Sequence, residues 1–286
     1  MVQAPVRSSD DLGAEIAACG WRFETIVHPN GTRDTIQVPL TPEEFLHPKE
    51  GYHLPNSTFH DQTTAEARDM LARRYENRSG VGVFSDVLIR WPNQEPKDCC
   101  PDVAVYFGLR DKRKNRERFT VATEGIRPIF VLEVVSPRYR KQDRKDKVEI
   151  YARAQVQEYG IVDRRSYRNQ VFEEVLGYRL KEGRYEPIPP DENSRVRFET
   201  IGLWMSLHNE QLVMEDIETG ERLKTSRELD AELTRANQQT EQARQQAAES
   251  DRRAAESDRR AADLETMLAR YQAQFGNLDS NAPETP

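Results

Sequence analysis

Two acids interrupt apolar runs in the middle of this chain. Asp102 opens the run Val103–Phe107, and Glu133 lies inside Ile129–Val135. A lone buried carboxylate costs several kcal/mol, so each acid needs a partner. One reading is a hydrogen-bonded structural acid. The other is a pair of oxygen ligands for a hard cation, brought together across neighbouring strands. Ser136-Pro137 ends the second strand, because proline cannot donate to a ladder. Beyond it Asp143, Lys147 and Tyr151 recur every four residues, which puts them on one helix face. Two carboxylates and a lysine are a set for metal-assisted phosphodiester cleavage. The acids hold the metal, and the lysine meets charge developing on the phosphate. The alternative for Lys147 is a solvated helix lysine.

The motifs PD at Pro101-Asp102, E-V-V-S-P from Glu133, D-x-x-x-K-x-x-x-Y from Asp143 and E-Y-G-I-V-D from Glu158 together resemble the Uma-two family of endonucleases, within the PD-(D/E)XK nuclease superfamily. The similarity spans roughly Pro39–Leu207 and includes PLTPEEFL and His60. It implies a Mg²⁺- or Mn²⁺-dependent DNA endonuclease. Asp102 and Glu133 would hold the metal, with the Val134 carbonyl as a further ligand, and Lys147 would be the catalytic cation. In most of the superfamily that lysine stands two residues after the glutamate, where this chain has Val135. The family is similar in having moved it to the following helix. Asp143 is either a partner of Lys147 or a cap, and His60 matches a family histidine or is a plain helix-start residue. The family's Tyr-Glu-Leu step reads Tyr52-His53-Leu54 here. Histidine is a poor ligand for a hard cation. A catalytically degenerate domain acting as a coiled-coil scaffold or DNA-binding protein is therefore the alternative function.

Two basic runs flank the acids. Arg110–Arg118 holds six basic residues in nine, and Arg138–Lys147 six in ten. Arg113, Lys114, Arg138, Arg140, Lys141 and Lys145 are the candidates for phosphate contact, which gives affinity without sequence choice. The alternative is a solvated surface. Net charge is −7, so any nucleic-acid contact must come from such local patches. Asp86 is either a further metal-site acid or a solvent-facing strand residue.

The whole chain sets the remaining bounds. Its 286 residues suffice for one sizeable domain plus an appendage. Cys19, Cys99 and Cys100 form no C-x-x-C pair, and an odd, sparse count fits a reducing cytoplasm. The N-terminus lacks the apolar core of a signal peptide, and no run of about eighteen apolar residues could span a membrane. P-loop, nucleophile-elbow and zincin motifs are missing.

The expected fold class is α/β, a restriction-endonuclease-like core with a central mixed sheet flanked by helices, plus a C-terminal coiled-coil helix. The expected divisions are an N-terminal extension at 1–35, a nuclease-like domain at 36–215, a coiled coil at 226–275 and a disordered tail at 276–286. Asp10 or Asp11 is expected to cap a helix through Leu12–Cys19. Trp21–His28 and Ile36–Leu40 read as strands, and Thr41-Pro42-Glu43-Glu44 as a helix start. Thr58–Tyr75 reads as a helix. Val81–Trp91 alternates like one strand, joined as a hairpin to Val103–Phe107. Glu158–Asp163 reads as a short buried strand. Asn169–Leu176, Gly177–Leu180 and Arg184–Pro187 form a meander, and Arg195–Leu207 returns to the sheet. From about Ser226, two tandem AAESDRR copies mark a seven-residue repeat. Leu233, Thr240, Ala247, Ala254, Ala261, Leu268 and Phe275 fall at a. Leu229, Ala236, Ala243, Ser250, Ser257, Leu264 and Tyr271 fall at d, a pattern that predicts weak homo-oligomerisation.

Overall fold

The computed structural model describes residues 9–55, 57–168 and 170–276, so the tail expectation at Asn277–Pro286 lies outside the described residues. Residues up to Ser226 form one compact unit and those from Arg227 a second. Among the described residues no helix is long and apolar enough to cross a membrane.

The chain opens with α1 (Ser9–Cys19), then β1 (Trp21–Val27) and β2 (Arg33–Pro39), an antiparallel hairpin with Trp21 opposite Pro39. The described part of α1 takes in both Asp10 and Asp11. Helix α2 (Pro42–Leu46) starts with a full capping box. Thr41 accepts from the Glu44 amide, and the Glu44 carboxylate accepts from the Thr41 amide. Helix α3 (Thr58–Arg74) follows, capped by Ser57.

Next come β3 (Val81–Phe84), β4 (Leu88–Arg90), β5 (Val103–Phe107), β6 (Arg118–Thr120), α4 (Val121–Glu124) and β7 (Pro128–Val134). The single strand expected over Val81–Trp91 is two strands in different sheets. Asp86 adopts φ 54 between them, a left-handed conformation that breaks an extended run. β3 pairs with β5 as expected, but β4 pairs parallel with β6.

A crossover links β7 to its parallel neighbour β8 (Glu158–Tyr167). It contains a 3₁₀ turn at Pro137–Tyr139, a π-helical turn at Gln142–Asp146 and α5 (Lys147–Arg153). β9 (Gln170–Lys181) and β10 (Arg184–Ile188) complete a six-stranded mixed sheet in the order β10-β9-β8-β7-β5-β3. This is the expected mixed α/β architecture. β8 runs past the predicted Asp163, and β9 is one strand where two were read. Gly177 does not break it, and a Cβ there would meet Val196 Cγ1 at 2.5 Å. β11 (Val196–Phe198), β12 (Leu203–His208) and β13 (Gln211–Asp216) form a separate sheet, so Arg195–Leu207 does not return to the central one. Its apolar side packs over the core, with Met205 fully buried, while Trp204 is half-buried beneath Arg195 and Arg197.

The central sheet is buried on both faces, which is why its strands read as near-continuous apolar runs. One face, with Val103, Val105, Phe130, Leu132 and Val162, packs against Ala67, Met70 and Leu71 of α3. The other, with Ala104, Tyr106, Val131, Tyr159 and Ile161, packs against Tyr151 and Ala154 of the crossover.

In the second unit, α6 (Ser226–Phe275) is one continuous helix with no buried residue. Glu249–Arg253 and Glu256–Arg260 pair at i,i+4, each at 2.6 Å. Leu264, Leu268, Tyr271 and Phe275 stand exposed along its C-terminal end.

Candidate active site

Asp102 and Glu133 meet because β5 and β7 are adjacent. Val103 pairs with Leu132, so Asp102 falls beside Glu133, and strand alternation puts both side chains on one face. Asp102 Oδ2 accepts the Val134 amide at 2.6 Å and lies 3.1 Å from His60 Nε2, at the start of α3. Lys147 Nζ donates to Glu133 Oε2 at 2.9 Å and lies 2.9 Å from Asp143 Oδ1. Tyr151 donates its hydroxyl to Glu133 Oε1 at 2.5 Å, and the Ser136 amide donates to Asp143 Oδ2 at 3.0 Å. The expected helix face of Asp143, Lys147 and Tyr151 therefore converges on Glu133. The π-turn delivers Asp143 just ahead of α5, so Lys147 bridges two acids while Phe45 covers its ammonium at 4.8 Å.

All these charged groups except His60 are buried, and His60 is largely so. Their titration follows from that burial. For Asp102, burial opposes ionisation, but the adjacent His60, then Lys147 and the Val134 amide, hold the carboxyl below its ordinary value. For Glu133, burial pushes the carboxyl up to about 8. Repulsion from Asp102 and Asp143 adds to this, against the pull of Lys147 and the Tyr151 hydrogen bond. Burial likewise raises Asp143. Burial would lower Lys147, but Asp143, Glu133 and Asp102 outweigh it and keep the ammonium charged. Lys147 and Glu133 are thus unequal partners. Lys147 has two further acids to hold its proton, while Glu133, crowded by Asp102 and Asp143, keeps its own proton up to about 8. His60 is raised, burial being outweighed by Asp102.

The cluster floors a cleft of about 920 Å³ whose lining includes His60, Asp102, Glu133, Val134, Asp143 and Lys147. Asp86 is also at its wall. Asp86 is exposed as a residue, yet desolvation of its carboxyl, followed by repulsion from Asp102, raises it above the ordinary range.

Residues 53–208, more than half of the chain, match the family model Uma2, described as "Putative restriction endonuclease". The chain belongs to the Uma2 family. No curated protein matches it. Among solved structures, a "putative nuclease belonging to DUF820" from Anabaena variabilis aligns over 57% of this chain and 91% of its own, at 13% identity and a TM-score of 0.40. The match begins at His53, so the PLTPEEFL segment lies outside it.

Within the Uma2 domain, His53 is on the cleft wall, but its ring stacks on Trp21 at 3.7 Å and its backbone pairs with Trp21 in both directions. None of the six candidate phosphate-binding residues lines the cleft. Arg113, Lys114, Arg138, Lys141 and Lys145 are exposed. Lys114 reaches Glu124 at 3.4 Å, and Arg140 is committed to buried Asp163 at 2.7 Å. Arg144 pairs with Asp163 and Glu174, which ties the π-turn to β8 and β9. Besides Lys147, the Lys and Arg side chains that line the cleft are Lys49, Arg90, Lys97 and Arg118. Sequence reading passed over Lys49, Arg90 and Lys97, which come from separate segments and form no run. Arg118 does close a basic run, but nothing marked it out from its neighbours.

Among the described residues no group of three or more His, Cys, Asp or Glu converges as a metal site. Lys147 separates Glu133 from Asp143 and leaves Asp102 and Glu133 as the adjacent acids. A two-carboxylate, all-oxygen set suits Mg²⁺, which keeps most of its waters and takes few protein ligands. The raised Glu133 carboxyl marks the negative charge such an ion would offset, so the residues fit the group.

Proposed function

We propose that this Uma2 chain is a metal-dependent endonuclease that hydrolyses DNA phosphodiester bonds. The observation that carries this reading is the placement of Asp102, Glu133 and Lys147 on the floor of one open cleft. Asp102 and Glu133 would hold Mg²⁺ or Mn²⁺, joined by the Val134 carbonyl at the strand end. When bound, such an ion polarises the phosphate and makes its water a better nucleophile. Lys147 neutralises negative charge gathering on the phosphate, in a site where low water content strengthens that effect. Asp143 and Tyr151 fix the positions of Lys147 and Glu133, and His60 holds Asp102 ionised. Arg138, Lys141, Lys145 and Arg113 are exposed and face solvent, open to the backbone of a long substrate; Lys114 is exposed but shared with Glu124, and Arg140 is bound to Asp163.

Incubating the full chain with supercoiled plasmid and Mg²⁺ or Mn²⁺ should give nicked and linear products. Asp102→Asn should slow this by at least about a hundredfold. One observation favours the second reading, a catalytically degenerate domain: His53 is stacked on Trp21, where the family carries a carboxylate. A wild-type chain that leaves plasmid and single strands intact with both ions would establish that reading instead.

The domain limits we propose are those of the sequence reading, with the tail as a self-associating helix. Its heptad ladder favours a parallel, in-register pair. In that arrangement Arg253 faces Asp258 of a second copy, and Arg260 faces Glu265. Ala and Ser at the central a and d positions keep the association weak. Sedimentation of the full chain should show a concentration-dependent dimer that a chain ending at Thr225 lacks. The same oligomeric state for both would remove the idea.

A further inference from the structure

The β8–β9 hairpin extends well beyond the sheet that anchors it. β7 last pairs with β8 at Val134 and Val162, and β8 continues five residues further, to Tyr167. At about 3.3 Å per residue that is roughly 17 Å of two-stranded ribbon. Because β7 and β8 are parallel, the ribbon leaves the sheet at the end where Glu133 and Val134 stand. Register also fixes its face. Glu133 pairs with Ile161, and strand alternation carries that face through Asp163 to Arg165 and Tyr167. Phe172, opposite Arg165, is on the same face.

The composition of this distal ribbon is unlike that of the sheet below it. Residues 164–173 hold three arginines and one glutamate. Arg164 and Glu173 lie 3.6 Å apart, which leaves Arg165 and Arg168 without a carboxylate partner among the described residues. Instead Arg165 lies over Phe172 at 4.8 Å and Arg168 over Tyr167 at 5.1 Å. Tyr167, Val171 and Phe172 are 57%, 54% and 38% exposed. Exposed aromatics that share a ribbon with unpaired arginines need a partner that is anionic and also offers flat or apolar surface. Duplex DNA meets both needs, and a two-stranded ribbon is a shape its major groove admits.

We propose that the distal β8–β9 ribbon is a DNA-binding arm. Arg165 and Arg168 contact phosphates, and Tyr167 and Phe172 contact the groove, on duplex that continues out of the cleft. This rests on the nuclease reading and assigns that same site its grip on substrate away from the cut. The arm acts on binding, and none of its residues touches the acidic cluster.

The test is fluorescence anisotropy of a short labelled duplex in EDTA, over a range of salt, with the full chain. Arg165→Gln/Arg168→Gln should bind at least about tenfold more weakly and show a log K against log salt slope smaller by about two. Tyr167→Ser/Phe172→Ser should weaken binding with the slope unchanged. In plasmid cleavage the arginine variant should raise KM and leave kcat within about twofold. A control at exposed tail arginines, Arg252→Gln/Arg259→Gln, should change nothing. If wild type binds duplex and both ribbon variants bind equally well, the arm is overturned while the nuclease reading stands. If wild type binds no duplex and cuts none, both fall together.

Discussion

Lys147→Met is expected to eliminate cleavage and also to lower stability. The residue is 6% exposed, and its ammonium bridges Glu133 and Asp143 at 2.9 Å each. Methionine keeps the apolar stem and removes the charge. Two buried carboxyls then face each other without a cation, and breaking a buried pair from one side costs about 3–5 kcal/mol. Part of that is recovered by protonating Glu133, whose carboxyl is already raised to about 8. The rate should fall by at least about a hundredfold, the loss seen when a donor aimed at developing charge is removed. Duplex affinity in EDTA should hold, since before reaction the Lys147 charge is already shared between Glu133 and Asp143. Lys145→Ala should do the reverse, lowering affinity and sparing the rate, because Lys145 is exposed on the same turn. Cleavage rate, duplex affinity and thermal denaturation of the two variants decide this. A Lys147→Met chain that folds and cuts at the wild-type rate removes the lysine from the chemistry.

The second large effect is on pH. Glu133 is raised to about 8, so near neutrality a proton competes with any cation for its oxygens. The apparent affinity for Mg²⁺ should therefore strengthen by up to about tenfold per pH unit between about 6 and 8, then level off. Stability without metal should run the other way. A carboxyl raised on folding contributes stability that is complete below its unfolded value near 4.5 and is lost as pH rises through about 8. Lys147 is raised as well and stays charged across this window, so it does not mask the trend. Asp102 is lowered, so its contribution disappears only in acid. Metal-free melting temperature should thus decline from pH 6 to pH 9, and added Mg²⁺ should restore more at pH 9 than at pH 6. Glu133→Gln should make both profiles shallower, leaving in the stability profile the smaller decline from His60, which is raised as well. Flat profiles in the wild type would show that Glu133 does not hold a proton in this window.

Much of this protein was fixed before folding is considered. Asp102 and Glu133 stood out because an acid in an apolar run requires a partner, and the four-residue spacing of Asp143, Lys147 and Tyr151 put them on one face whatever that face met. Thr41-Pro42-Glu43-Glu44 specified its own helix start, since all of its capping partners are local. The seven-residue repeat likewise specified a single helix from Ser226 to Phe275. Tertiary structure decided which charges are spare. Arg140 and Lys145 belong to one basic run and look alike in sequence. Only the fold brings buried Asp163 within 2.7 Å of Arg140 and leaves Lys145 in solvent. It also split Val81–Trp91 at Asp86, because pairing to β5 and to β6 depends on distant segments rather than on alternation. It ran β8 on past Asp163 into an exposed ribbon, which the polar sequence RRSYRNQ did not announce. The physical reason is common to these cases. Periodicity records which side of an element is apolar, a local property. Ion pairing, strand pairing and the length of a hairpin depend on groups far away in the chain, and no spacing rule contains them.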